Sequence, residues 1–228
     1  MNGIIKRIIV AMAVFLTAIA PVYGEKVRES RDTLFAKDVF VNLPLKTLDI
    51  LSRSTRLDML DYYAADSIYK APNGMEGLSE LEKVTPDYLS VKITPVTSMQ
   101  ILMLRDKRKK EPACLVLYTI GGEGQAYDTD ATFLGDRMEE LPRDKYLEYP
   151  DILDFFNIPD KSVKEKIEGL VPFPTIEFTV NPETGVLTAK LTVGEYMGKE
   201  NFEYVSKYMK PNLQYKWNGK KYEMIKEK

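Results

Sequence analysis

The 228-residue chain has no histidine, one cysteine and one tryptophan. Without histidine it lacks the commonest general base, the commonest metal ligand and every Ser–His or Cys–His nucleophile pair. A single cysteine, Cys114, excludes an intrachain disulfide and a cysteine-based zinc site. Charge of one sign does not dominate either: 32 Lys+Arg against 34 Asp+Glu give a formal net charge of -2. No bulk basic surface for nucleic acid follows from that balance, and no nucleic-acid partner is expected. No cofactor is expected. The one long apolar run, residues 8–20, is shorter than the about 20 residues a spanning helix needs. What remains, 44% hydrophobic and 29% charged residues, is the composition of a globular domain with a real core rather than of a disordered chain.

Residues 1–24 read as a secretory signal peptide. Lys6 and Arg7 form a basic start, residues 8–20 an apolar stretch, and Pro21 with Val22-Tyr23-Gly24 a break before a small residue at the cleavage point. Glu25 and Lys26 follow, where a lipoprotein would need cysteine. The expectation is a periplasmic or secreted protein, not a lipoprotein, with no stable membrane insertion after cleavage. Residues 25–32 (EKVRESRD) read as a mobile leader.

Beyond the leader the hydrophobic period alternates between helix and strand. Pro44 followed by Leu45, Leu48, Ile50 and Leu51 predicts a helix over 45–51. A second helix is expected to be capped by Ser54 or Thr55 and to carry Leu57, Leu60, Asp61 and Ala64 on one face. Pro72-Asn73-Gly74 marks a turn. Period-two patterns then predict strands at 88–93, 98–104, 113–120 and 125–134. Their connectors are too short for crossover helices, so the four should form an antiparallel meander. Residues 145–156 and 162–170 read as helices, 175–180 and 186–193 as a hairpin around Asn181-Pro182-Glu183-Thr184-Gly185, and 201–209 as a short helix. The chain closes on a hairpin of 213–217 and 220–224 about Asn218-Gly219, a pair suited to a two-residue turn with positive φ. The class is α+β with antiparallel sheets, and the order suggests two similar α+β halves at 33–135 and 140–228. The halves either fold as separate sheets or share a core.

The run Arg56-Leu57-Asp58-Met59-Leu60-Asp61-Tyr62-Tyr63 stands with Gly77-Leu78-Ser79-Glu80-Leu81, Thr85-Pro86-Asp87-Tyr88-Leu89 and Ile93-Thr94-Pro95-Val96-Thr97-Ser98. On these segments the chain resembles a family of uncharacterised exported proteins from Bacteroidales bacteria, from about residue 40 to the final Tyr-x-Trp hairpin. The resemblance implies a bacterial source and an export route, and no assigned activity.

Several patterns could carry chemistry. Ser67-Ile68-Tyr69-Lys70 fits S-x-x-K, but neither S-D-N nor K-T-G follows, and a helix end with a surface lysine is the better reading. Asp128, Asp130 and Asp136 could offer oxygens to calcium, yet residues 131–134 continue a strand, which leaves Asp128 and Asp130 on its solvent face. Gly121-Gly122-Glu123-Gly124 lies between strands rather than before a helix, so it reads as a hairpin loop and not a phosphate cradle. Arg105 with Lys107, Arg108, Lys109 and Lys110 is a dense basic run, best read as a solvated loop beside a sheet edge. Paired carboxylates for glycoside cleavage are available among Asp58, Asp61, Glu139, Glu140, Asp151 and Asp154. Tyr215, Trp217 and Tyr222 could present a ligand-binding face, against the alternative that they pack the hairpin. The balance favours a non-enzymatic binding or accessory protein of the envelope, its partner an unidentified ligand or envelope protein. The alternative is a histidine-free hydrolase acting on glycan or cell-wall material.

Overall fold

The computed structural model describes residues 34–44, 48–67, 70–105, 112–121, 126–194 and 197–226. The expected leader, the basic run 107–110 and the loop 122–124 lie outside the described residues.

Two helices come first, α1 (Ala36–Asn42) and α2 (Arg53–Ala64). The first is not where the spacing placed it. Asp38 reaches back to the Phe35 N–H (2.9 Å), so the helix starts at Ala36 and stops before Pro44. Residues 48–51 run as turns and bends, although Leu48 and Leu51 are buried as their apolar character requires. In α2 the cap is Ser52 rather than Ser54 or Thr55: Ser52 Oγ accepts from the Thr55 N–H at 3.1 Å. The helix is also rotated relative to expectation. Arg56 and Met59 are its buried residues, and Leu57 is exposed.

A seven-stranded antiparallel sheet follows in simple sequence order: β1 (Ala71–Pro72), β2 (Leu78–Val84), β3 (Tyr88–Thr94), β4 (Thr97–Met103), β5 (Cys114–Gly121), β6 (Tyr127–Leu134) and β7 (Glu140–Leu141). The expected four-strand meander is β3 to β6. The sequence LSELEKV of β2 hides its alternation behind Glu80, Glu82 and Lys83, and a register shift between Leu81 and Lys83 breaks its period. Beyond β7 the helix expected at 145–156 is absent. Pro150 interrupts the stretch, and Asp151 with Asp154 forms a reciprocal cap that closes only a short 3-10 turn, Ile152–Phe155. Then come α3 (Lys161–Leu170), β8 (Ile176–Val180), β9 (Leu187–Leu191), α4 (Lys199–Val205), β10 (Leu213–Trp217) and β11 (Tyr222–Met224). Strands β8 to β11 form a second antiparallel sheet in the order β11-β10-β9-β8.

The final hairpin differs in register from the expected one. Trp217 pairs with Tyr222 and Tyr215 with Met224, so the loop holds four residues, not two. Asn218 Oδ1 accepts from the Lys220 and Lys221 N–H groups (2.7 and 3.0 Å) and closes that wider loop. Gly219 alone in it takes a positive φ, 88°.

The large sheet is apolar on both faces. Leu89, Val91, Ile93, Met99, Ile101, Met103, Cys114 and Val116 pack with α1 and α2 on one side. Leu102, Leu115, Leu117, Ala131 and Phe133 join Phe178, Leu187, Ala189, Tyr215 and Tyr222 of the small sheet on the other. Alternation along each strand produces this division, because successive side chains leave opposite faces. The small sheet meets the large one through its edge strand. Three N–H groups of β8, at Ile176, Phe178 and Val180, donate to Asp128 Oδ1 (3.1 Å), Thr129 Oγ1 (2.9 Å) and Gln100 Oε1 (2.9 Å). An edge that would otherwise template association is thereby satisfied by side chains of the neighbouring layer.

Candidate functional site

The face of the large sheet that carries α1 and α2 is not fully covered. Its uncovered part is a groove over β5 and β6. Two cross-strand pairs, Tyr118 with Asp130 and Val116 with Thr132, make the floor, and Leu134 extends it. Leu43 and Pro44, just after α1, form one wall, and Met138, Glu139 and Glu140 the other. The cavity so enclosed is about 540 Å3. It continues past Asp130, Thr132 and Glu140 into a second hollow of about 450 Å3, bounded by Leu141, Pro142, Arg143 and Asp144.

The lining mixes apolar and acidic side chains. Leu43, Pro44, Val116, Leu134 and Met138 are apolar, Asp130, Glu139 and Glu140 acidic, and Tyr118 adds a phenol; the two kinds interleave, since Glu140 stands opposite Leu134 in the ladder. Burial, and secondarily the charge of Asp49, raises the Tyr118 pKa, so the phenol stays protonated and can donate. Glu139 is partly committed: its Oε2 accepts from the Arg137 N–H at 3.0 Å. The Glu139 carboxyl lies over Gly135, where a Cβ would displace this exposed side chain. Met138, at the lip, holds a positive φ of 65°, a conformation that a long side chain adopts only when the surrounding loop imposes it. Arg143 Nη1 stands 3.8 Å from Asp130 Oδ1, and its guanidinium lies over the Tyr149 ring, 4.6 Å from the centroid.

The residues singled out from the sequence fare differently. Asp130, considered for calcium, and Glu139 and Glu140, considered for glycoside cleavage, come together at this groove. They do not converge on a point: among the described residues no group of three His, Cys, Asp or Glu could hold a metal ion. Asp151 and Asp154 are spent on capping backbone N–H groups, and Asp58 and Asp61 are exposed on α2. Ser67 and Lys70 do not share a helical turn, since α2 ends at Ala64 and Lys70 Nζ pairs with Glu80 at 3.2 Å. Arg105 is engaged with Asp87 Oδ1 (2.7 Å) and the Leu34 carbonyl (2.7 Å). Tyr215 and Tyr222 are fully buried and Trp217 is partly buried, with its ring 5.2 Å from that of Tyr222. Sequence reasoning missed Leu43, Pro44, Tyr118, Thr132 and Met138. Only the strand alternation that puts Tyr118 opposite Asp130 could have pointed to one of them.

A family model for proteins of unknown function matches residues 32–222, which spans the groove and both sheets. The chain belongs to the DUF3256 family. No curated protein matches it. Among solved structures, a domain of an uncharacterized protein from Porphyromonas gingivalis W83 is similar, with a TM-score of 0.70 at 16% identity, covering 84% of this chain and 98% of that one. At that identity the likeness shows a shared fold, and DUF3256 supplies no residue roles to transfer.

Proposed function

We propose that this DUF3256 protein is an exported, non-enzymatic binding or accessory protein of a bacterial envelope, and that it holds its ligand in the groove over β5 and β6. Export rests on the order of basic, apolar and small residues in 1–24. The groove carries the binding reading, because apolar and acidic side chains line one cavity of about 540 Å3. That volume is in the range of small-ligand sites. Asp130, Glu139 and Glu140 are exposed to solvent. Exposure suits reversible pairing with a cation. A general acid for glycoside cleavage needs instead a carboxyl withdrawn from water. The ligand that fits is a cation with an apolar portion.

A dansylated diamine supplies both features and reports its own capture by fluorescence. Binding to the full chain should be saturable and should weaken with salt. The double change Asp130→Asn with Glu140→Gln should weaken it about five- to thirtyfold, the equivalent of two exposed charge pairs. Both residues are exposed, so the melting temperature should hold within about 2 °C. Equal binding by the parent and the double variant would end the groove reading.

A further inference from the structure

We propose that one end of the large sheet docks reversibly on a lipid surface and dips a ring of apolar turn residues into it.

Four large apolar side chains among the described residues are more than half exposed: Met75 (66%), Leu78 (58%), Ile120 (57%) and Phe173 (79%). All four gather at the same end of the large sheet. Strand β2 begins there at Leu78, β3 turns into β4 where Thr94 pairs with Thr97, β5 ends at Gly121 and β6 begins at Tyr127. Met75 lies in the turn before β2, and Asn73 of that turn donates through Nδ2 to the Ile93 carbonyl (2.9 Å). Val96, in the turn from β3 to β4, adds a fifth side chain, 41% exposed. Phe173 comes two residues before Thr175, which Thr192 ties to the Tyr127 carbonyl. One exposed apolar residue needs no explanation, but their convergence does.

The side chains ring the end of the sheet and do not share a face. Ile120 alternates with Val116 and Tyr118 on the side of α1 and α2, whereas Leu78 points away from the face on which Leu81 is buried. Neighbouring strands are about 4.8 Å apart, so Leu78 on β2 and Ile120 on β5 stand about 15 Å from each other. Val96 lies between them. The turns that carry the ring are fixed. Asn73 Oδ1 accepts from the Met75 and Gly77 N–H groups (3.0 and 3.1 Å), and the Gly74 N–H donates to the Ile50 carbonyl (2.8 Å). The Gly121 N–H donates to the Val96 carbonyl (2.6 Å). The tips are therefore presented without an ordering cost at the moment of contact.

Area and charge select a lipid surface as the occupant. Five such side chains expose on the order of a few hundred Å2 together, short of the about 800 Å2 that each partner buries in a standard protein interface. Separate tips around a sheet end also offer no continuous surface for a protein to match, whereas fluid lipid closes around each of them. The charges beside the ring are of both signs: Lys70 pairs with Glu80 at 3.2 Å, Glu76 and Asp128 are exposed, and so are Lys92 and Lys190. That balance gives no pull toward anionic headgroups, so apolar burial at a zwitterionic interface is the driving force. Leu134 and Met138 of the groove lie at the opposite end of β6 and stay clear of the surface.

The test uses the full chain and phosphatidylcholine vesicles whose acyl chains are brominated. Cys114 is buried, so an environment-sensitive thiol label reports a cysteine introduced by Met75→Cys, Leu78→Cys or Ile120→Cys. Asp136→Cys, exposed beyond the other end of β6, is the reference. The ring labels should be quenched on the order of twofold and the reference unchanged, because an interfacial side chain sits about 5–10 Å into the headgroup and acyl boundary. Leu78→Glu added to the Ile120→Cys form should raise the lipid concentration for half-quenching about tenfold. Salt at about 1 M should leave it unchanged. Unquenched ring labels would overturn the proposal, whether the chain stays free or attaches through the apolar run 8–20. Equal quenching at position 136, or loss of quenching in salt, would overturn it too. Ring labels that respond to protein concentration without vesicles would assign this end to a second copy of the chain instead.

Discussion

Replacing Arg56 by alanine is expected to destabilise the protein by about 3–5 kcal/mol. Arg56 is 1% exposed, among the largest fully buried side chains of the described residues. It belongs to α2 but serves α1. Its Nη1 donates to the carbonyls of Phe40 (2.7 Å) and Leu43 (2.9 Å), at the last turn and cap of a seven-residue helix. Among the described residues those carbonyls have no other hydrogen-bond partner, as expected at the end of so short a helix. A cation there also faces the negative end of the helix dipole. Burial, and secondarily the charge of Arg53, lowers its pKa from the ordinary arginine value, and the group remains charged. No carboxylate pairs with it among the described residues, and its Nε has no hydrogen-bond partner.

Alanine would remove the packing and the capping together. Arg56→Met separates them, because methionine restores much of the apolar volume and leaves both carbonyls orphaned. We expect about 2 kcal/mol of loss for methionine, the penalty for unsatisfied buried acceptors. Urea unfolding at constant m-value measures both variants. If methionine matches the parent, the desolvation of the guanidinium offsets its hydrogen bonds. If alanine changes stability by less than about 1 kcal/mol, Arg56 does not hold α1 against α2, and the wall of the groove at Leu43 and Pro44 has another support.

Where period and turn chemistry agree, the sequence was legible. The meander β3 to β6, the hairpin β8 to β9 and the helix α3 all fall within about two residues of their expected bounds, the scatter normal for element ends. Three elements failed for separate reasons. The apolar spacing at 48–51 reports burial against a sheet, and burial alone does not make a helix. Residues 145–156 carry helical spacing, but a proline and a pair of capping aspartates break them into short turns. Asn218-Gly219 announces a hairpin, yet Asn218 prefers to bond two N–H groups further on, which widens the loop and shifts Trp217 opposite Tyr222. The groove was the least legible part. Its acids were visible one by one, but Asp130 and Glu140 share a groove because β7 pairs Glu140 with Leu134, on the β6 face that also carries Asp130. A pairing between a two-residue strand and β6 leaves no periodicity to read in the sequence.

The C-terminal aromatics should make stability fall steeply in alkali. Burial raises the pKa of Tyr222, and burial followed by the charges of Asp154 and Glu148 raises that of Tyr215. The unfolded chain releases these protons near the ordinary tyrosine value of about 10, while the native state keeps them. Above that pH the unfolded state therefore binds fewer protons, and unfolding becomes easier by up to about 1.4 kcal/mol per pH unit for each residue. The contribution is fully present below about pH 10 and is lost as pH rises toward the native values. Neither hydroxyl has a hydrogen-bond partner among the described residues. The double change Tyr215→Phe with Tyr222→Phe should thus leave stability at pH 7 unchanged or raise it by about 1–2 kcal/mol, and it should flatten the alkaline limb. Tyr222→Ala is a different matter. The ring lies 5.2 Å from Trp217 and 6.4 Å from Phe133 of β6, so it joins the small sheet to the large one. Its loss should cost about 3–5 kcal/mol. Urea unfolding between pH 7 and pH 11 checks all of this. An unchanged alkaline limb in the phenylalanine double variant would mean that the native phenols ionise freely. In that case Tyr215, Trp217 and Tyr222 reach solvent and can serve as a ligand face after all, and the junction of the two sheets must be held elsewhere.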